Sequence, residues 1–390
     1  MDALIFSCGT GGGHNSAANA VKQELLRRGH RVTMLDPYSL SNTRVGSLIN
    51  QSYINLVKKA PRLFGLVYQL GNLYRRLPVH SPVYHINHRM ALPVQRFLEE
   101  GNFDLIIMPH IFPGEILTNM RDHGICLPPT LLIATDYTCI PFTEEVQCDR
   151  YVIPSDDLCP AFTRWGIPKE RLYPLGIPVD QSFENPPDKQ ESLRRLGLDP
   201  SLRYLLVVGG SMGAGGLMRV ISILQKQYES SPDIRLIVIC GSNHPLYRRL
   251  KERYGERLLL VQHTSQMADY MKACELLISK PGGLSSTEAA VSCTPLIHIN
   301  PIPGCESKNM EYFSSRGMSL AVHSLQKELL PAVEQLLQPS SARQMLACQQ
   351  QNAMLPSASV TLPSSLLTAP FRLCQNNAEF LYIKKIPFSV

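Results

Sequence analysis

The sequence predicts an α/β protein of two domains, each a parallel sheet with helices, and three observations carry that expectation. Short apolar runs of strand length recur along the chain, each followed by a Gly- or Pro-rich turn and then by helical spacing. A unit of strand, glycine loop, helix and strand occurs early in each half. A chain of 390 residues, 44% of them apolar, has enough material for two such cores.

The first unit opens with a strand over residues 3–7, a loop from Cys8 to Gly13, and a helix over 14–28. Ala17, Ala20, Val21, Leu25 and Leu26 fall on one stripe of that helix. Gly29 ends it, and residues 31–35 return as a strand in the right-handed sense expected of such crossovers. Further strands lead into His110 and into Asp136. A Gly/Pro-rich connection over 176–187 separates a domain at 1–175 from one at 188–338.

The second unit runs from a strand over 204–208 through Gly209, Gly210, Ser211, Met212, Gly213, Ala214 and Gly215 to a helix over 217–228 and a strand over 235–240. Residues 258–261 form a strand that delivers Gln262, His263, Thr264 and Met267. Residues 276–279 form another, Pro281-Gly282-Gly283 breaks it, and a helix over 285–292 precedes a strand over 295–299. Beyond Ala321 the pattern fades, and 339–390, with its Ser/Pro-rich stretches, receives no assignment.

Composition excludes several classes. No stretch reaches the roughly 18–20 uncharged apolar residues of a spanning helix. The N-terminus runs straight into a glycine loop and reads as a first strand, not a signal peptide. Eleven cysteines are scattered singly, without a C-x-x-C pair, and are expected to be free, mostly buried thiols of a cytoplasmic protein. The net charge of +6 is concentrated: between Pro37 and Leu98 there is no acidic residue, against Arg44, Lys58, Lys59, Arg62, Arg75, Arg76, Arg89 and Arg96. Aromatic and aliphatic residues interleave with them, so the basic 44–96 segment is expected to dock on an anionic membrane surface. No nucleic-acid motif accompanies it, and neither glycine loop carries the Gly-Lys-Ser/Thr of a P-loop.

The most informative block is Leu276 to Asn309. The first free amides of a helix beginning near Gly283, Leu284 and Ser285 favour an anion such as a diphosphate. Glu288 falls one turn later, where a carboxylate accepts hydrogen bonds from a ribose diol. Glu306 and Asn309 follow the next strand.

PGGLSSTEA and NPIPGCESKN resemble the donor half of the glycosyltransferases that include monogalactosyldiacylglycerol synthase, processive diacylglycerol glucosyltransferase and, more distantly, MurG; the likeness spans roughly residues 1 to 325. The resemblance implies a GT-B fold, two Rossmann-like domains facing across a cleft, and an inverting hexosyltransferase using a UDP-sugar. On that pattern Gly210, Ser211, Met212, Gly213, His263, Thr264, Lys280, Gly283, Leu284, Ser285, Glu288, Glu306 and Asn309 bind the UDP-hexose. His14 is the proposed base, assisted by Asp136, with Gly12, Gly13 and His110 on the acceptor side. There is no Asp-x-Asp pair after a strand, so no metal or other cofactor is expected. The expected acceptor is a lipid, diacylglycerol first, at the inner face of the membrane. Two departures stand out: Cys305 where several relatives have glutamine, and Ile140 before Pro141 where lipid-galactosylating relatives tend to carry histidine.

Rival readings are a polyprenyl-linked or soluble acceptor, sugar-nucleotide epimerisation, a single Rossmann oxidoreductase with Asp36 as its acidic residue, and a non-catalytic membrane-binding scaffold.

Overall fold

The computed structural model describes residues 1–8, 12–41, 61–210, 213, 216–338 and 341–354. Two six-stranded parallel sheets make two lobes. The first contains β1 (Asp2–Phe6), β2 (Arg31–Leu35), β3 (Leu105–Met108), β4 (Thr130–Ile133), β5 (Arg150–Ile153) and β6 (Leu172–Pro174), in the order β2-β1-β3-β4-β5-β6. The second contains β7 (Arg203–Val208), β8 (Ile234–Ile239), β9 (Leu258–Val261), β10 (Leu276–Ser279), β11 (Leu296–Ile299) and β12 (Leu320–Val322), in the order β12-β11-β10-β7-β8-β9.

The strands are continuous apolar runs because both faces of each sheet are covered. Along β1, Ala3 and Ile5 enter one core with Val21 and Leu25, while Leu4 and Phe6 enter another with Ile106 and Met108. Strand order reverses beside β1 in one sheet and beside β7 in the other, so the crevices open after β1 and β3 and after β7 and β10. These are the turns that carry the glycine loops and their neighbours.

The helix Gly12–Arg27 begins two residues before the expected start, so Gly12 and Gly13 belong to its first turn. Likewise Gly283–Val291 begins at the glycine instead of after it. A glycine costs little at a helix start, where backbone amides are unpaired in any case.

Two further results concern stretches the sequence left open. Leu325–Leu337 and Ser341–Ala353 are helices, the second packing back on Gly283–Val291. Its buried Gln350 donates to Thr294 O and Met318 O, and Arg343 pairs with Glu275. Residues 355–390 lie outside the described residues.

The basic segment is the other. Arg44, Lys58 and Lys59 lie outside the described residues. The helix Pro61–Tyr74 turns Leu66, Val67, Leu70 and Leu73 outward, at 47–62% exposure, and Leu77 and Val79 continue the apolar strip. Its inner face is made of Gly65, Tyr68 and Gly71. A Cβ on Gly65 would come within 2.6 Å of Pro303 Cβ, so this first-lobe helix rests on a loop of the second lobe. Arg75, one of the basic residues of that segment, faces inward. Its side chain is 1% exposed, forms an ion pair with Glu144, and stacks 3.8 Å above the Trp165 ring. Arg76, Arg89 and Arg96 do face solvent.

Among the described residues, no helix is long and apolar enough to cross a membrane. All ten described cysteines are free.

Candidate active site

Three adjacent strands of the first lobe deliver the acceptor-side groups. His14 follows β1, His110 follows β3, and Thr135 and Asp136 follow β4. His14 Nδ1 lies 2.8 Å from Pro109 O and 2.9 Å from Thr135 Oγ1. A carbonyl only accepts, so Nδ1 carries the proton and Nε2 keeps its lone pair. Burial lowers the imidazole's basicity, the charge of Asp136 raises it, and the outcome lies below the ordinary histidine value. His14 is therefore neutral near pH 7, the form a base requires.

His110 packs edge-on to His14 with ring centroids 4.5 Å apart. Its Nδ1 accepts from Phe112 N at 3.1 Å, capping the helix Ile111–Asp122. Burial, reinforced by His14, holds its proton affinity far below normal. With Nδ1 accepting, the proton sits on Nε2, making His110 a donor.

The second lobe meets this group backbone to backbone. A Cβ on Gly283 would fall 1.9 Å from Thr135 O, and one on Gly13 would fall 3.6 Å from Leu284 Cβ. Only a residue without a side chain permits the first approach. The amino end of Gly283–Val291 thus faces the strand ends that carry His14 and Thr135. Tyr137 packs tilted against Tyr312 and edge-on against Phe313, with ring centroids 4.6 and 4.8 Å away, and its hydroxyl lies 2.8 Å from Thr287 Oγ1. Tyr312 and Arg316 also bind Asp157. The cavity lined by His14, Asp136, Thr138, Ile140 and Thr143, all of the first lobe, measures about 20 Å³, room for about one water.

Donor-side groups occupy the carboxyl ends of the second sheet. Gly210 and Gly213 adopt φ of 66° and 56°, and a Cβ on Gly213 would strike Cys240 O at 2.2 Å, so the loop after β7 requires glycine there. Ser211 and Met212 lie outside the described residues. Lys280, at the end of β10, passes close to Gly210, and its ammonium donates to Glu306 Oε1 at 2.7 Å. Glu306 Oε2 accepts from Ile302 N at 2.7 Å. Lys280 and Glu306, expected as separate contacts, are thus bound to each other. His263 and Thr264 follow the edge strand β9; His263 is exposed, and Thr264 Oγ1 accepts from Gln266 N.

Ser285 is half-buried on the first turn of Gly283–Val291, and Glu288 is half-buried one turn on. Burial first, and the negative charge of Asp180 second, push the Glu288 carboxyl up to about 8. A carboxylate that costly to ionise is suited to a ligand that donates hydrogen bonds.

Asn309, expected on the donor sugar, is fully buried and joined to Asp136 and Tyr137 across the lobe boundary and to Pro281 within its own lobe. Cys305 is half-buried, and burial first, with the charge of Asp136 second, drives its thiol far above the usual range. Ile140 lines the small cavity, and Phe142, two residues on, is held at φ of 73°, a strained value for an aromatic residue. Among the described residues, no three His, Cys, Asp or Glu side chains are grouped as a metal would need.

Comparison with known proteins follows the division into lobes. The family profile described as Monogalactosyldiacylglycerol (MGDG) synthase matches residues 14–179, and the glycosyltransferase family 28 C-terminal domain matches residues 204–360. A processive diacylglycerol beta-glucosyltransferase of Staphylococcus carnosus (strain TM300) is 25% identical, over 93% of this chain and 92% of its own length. The enzyme of the same name from Bacillus subtilis (strain 168) is 24% identical over 86% of each. In fold, the chain matches Acinetobacter baumannii MurG at a TM-score of 0.58, with 14% identity over 94% of this chain and 99% of that one. It also matches S. aureus MnaA, solved with UDP, at 0.60, with 9% identity over 94% and 95%. Two facing lobes, each matched in turn by the corresponding profile, make this protein a GT-B glycosyltransferase of the monogalactosyldiacylglycerol synthase and processive diacylglycerol glucosyltransferase family.

Proposed function

We propose that the protein transfers a hexose from a UDP-sugar to a lipid hydroxyl, diacylglycerol first, with inversion at the sugar carbon. The observation that carries the reading is the approach of Gly283 to Thr135, which sets a helix amino terminus opposite a neutral histidine. His14 Nε2 takes the proton of the acceptor hydroxyl as its oxygen bonds to the sugar carbon. Asp136 stabilises the imidazolium that forms. UDP departs from the opposite face with the bonding electrons. The diphosphate is met by amides of Gly283, Leu284 and Ser285 and of the loop after β7, with Glu288 on the ribose. With Lys280 already paired to Glu306, those amides supply most of the positive potential.

The acceptor enters from the membrane side, where the apolar strip of Pro61–Tyr74 and the outward Arg76, Arg89 and Arg96 rest on an anionic inner leaflet. Asn309 of the second lobe is bonded to Asp136 and Tyr137 of the first, so the lobes part to admit donor and close again for transfer. The diacylglycerol acceptor named for the relatives favours lipid over a soluble sugar.

The test is release of UDP and formation of glycolipid from UDP-glucose or UDP-galactose with diacylglycerol vesicles. His14→Ala is expected to lower turnover by about 10²–10⁴ while UDP binding persists. A parent protein that binds UDP yet glycosylates no lipid overturns the acceptor. Full turnover retained after His14→Ala overturns the base.

A further inference from the structure

Asn309 lies in the second turn of Cys305–Ser315, with no exposed surface. Its Oδ1 accepts from Tyr137 N at 2.8 Å. Its Nδ2 donates to Asp136 Oδ1 at 2.7 Å and to Pro281 O at 3.0 Å. Those three bonds engage the amide oxygen and both amide protons. The orientation of the amide follows from its partners. Reversed, it would set an NH₂ against the Tyr137 N–H and its oxygen against the Asp136 carboxylate.

Two of the three partners belong to the first lobe and one to the second. Asn309 therefore reaches Asp136 only when the lobes are together. Asp136 lines the cavity of His14, and its charge is what favours the imidazolium. In the closed molecule Asn309 has no donor left for a sugar hydroxyl, the role its place in the family pattern implies.

We propose that Asn309 is a positioning residue for the transfer step: it fixes the Asp136 carboxylate beside His14 on lobe closure, so the proton-accepting pair is completed only around enclosed substrates. This rests on the proposed roles of His14 and Asp136. Such an arrangement keeps the activated sugar from water while the cleft is open.

The experiment compares Asn309→Ala, Asp136→Asn and the double variant. It measures kcat and KM for the UDP-hexose the parent turns over, UDP affinity by calorimetry, and melting. Asn309→Ala is expected to lower kcat about 30-fold, with KM and UDP affinity within about threefold of the parent. On the Asp136→Asn background it is expected to cost nothing further, because its partner is already disabled. A general packing role would not give that dependence. If Asn309→Ala does not fold, Asn309→Asp replaces it: nearly the same shape, but a carboxylate that repels Asp136, with the same expected loss of kcat.

Multiplying effects in the double variant overturn the proposal. So does a loss confined to KM for the UDP-hexose, which marks a sugar ligand. An Asp136→Asn variant with parent turnover overturns both this proposal and the assigned role of Asp136. An Asp136→Asn variant of reduced but measurable turnover, on which Asn309→Ala still costs its full factor, overturns this proposal alone.

Discussion

Replacing Glu288 by Gln separates what the carboxylate costs the fold from what it gives the ligand. The folded protein holds the Glu288 proton to about pH 8, against an ordinary value of 4.5. Because the folded state binds that proton more tightly than the unfolded chain, stability falls as pH rises from the ordinary value to the folded one. Above the folded value the penalty is complete. A fully dry carboxyl would lose about 5 kcal/mol over that interval, at ~1.4 kcal/mol per tenfold. Glu288 keeps partial exposure, and solvent screening reduces this to about 1–2 kcal/mol. Glutamine has no proton to lose. Glu288→Gln is therefore expected to melt about 4 °C above the parent at about pH 8.5 and level with it near pH 4. Ligand binding moves the other way. A ribose diol needs the ionised carboxylate, so parent affinity for UDP climbs with pH to about 8 and binding releases a proton. The variant loses about 10- to 100-fold in affinity and shows no such slope. Melting across the pH range, with calorimetry in two buffers of different ionisation enthalpy, reads both effects. A variant that melts below the parent at about pH 8.5, or a parent whose UDP affinity is flat with pH, refutes the reasoning.

Other perturbations address the lobe contact, the membrane and the leaving group. Gly283→Ala places a methyl where Thr135 O lies 1.9 Å away, so the lobes separate; turnover is expected to drop at least about 100-fold while UDP binding to the second lobe persists, by the same calorimetry. Leu70→Glu with Leu73→Glu puts two charges on the exposed strip of Pro61–Tyr74; co-sedimentation with anionic vesicles is expected to fall about 100-fold with melting unchanged. Dialysis against EDTA is expected to leave turnover within about twofold, since amides meet the departing diphosphate; loss restored by Mg²⁺ counts against that assignment.

Much of the fold was legible because it is local. β2, β9 and β10 begin and end where the residue pattern places them, and the helix Leu217–Tyr228 is found as expected. The loop after β7 and the turn before Gly283–Val291 announce themselves by glycines that tolerate positive φ or close approach. The misjudged helix starts share one cause, glycines read as loop that serve as first-turn residues. The closing helix Ser341–Ala353 was not legible, since Gln349, Gln350, Gln351 and Asn352 give it no apolar stripe and Gln350 anchors it by hydrogen bonds. Tertiary pairing hid the rest. Arg75 is buried by Glu144, 69 positions away, and Asn309 binds Asp136, 173 positions away. No local spacing carries such information. The same holds for Lys280 and Glu306, whose types suit a nucleotide sugar but whose charges meet each other first.

Trp165 is the chain's single tryptophan, and it sits beneath the Arg75 guanidinium at 3.8 Å with Arg164 at 5.4 Å. Arg75 directly follows the helix Pro61–Tyr74, so this indole is a built-in fluorophore beneath the end of the segment proposed to meet lipid. Its emission wavelength and quenching report whether the guanidinium stays in place when vesicles are added, without any label and with no second indole to blur the signal.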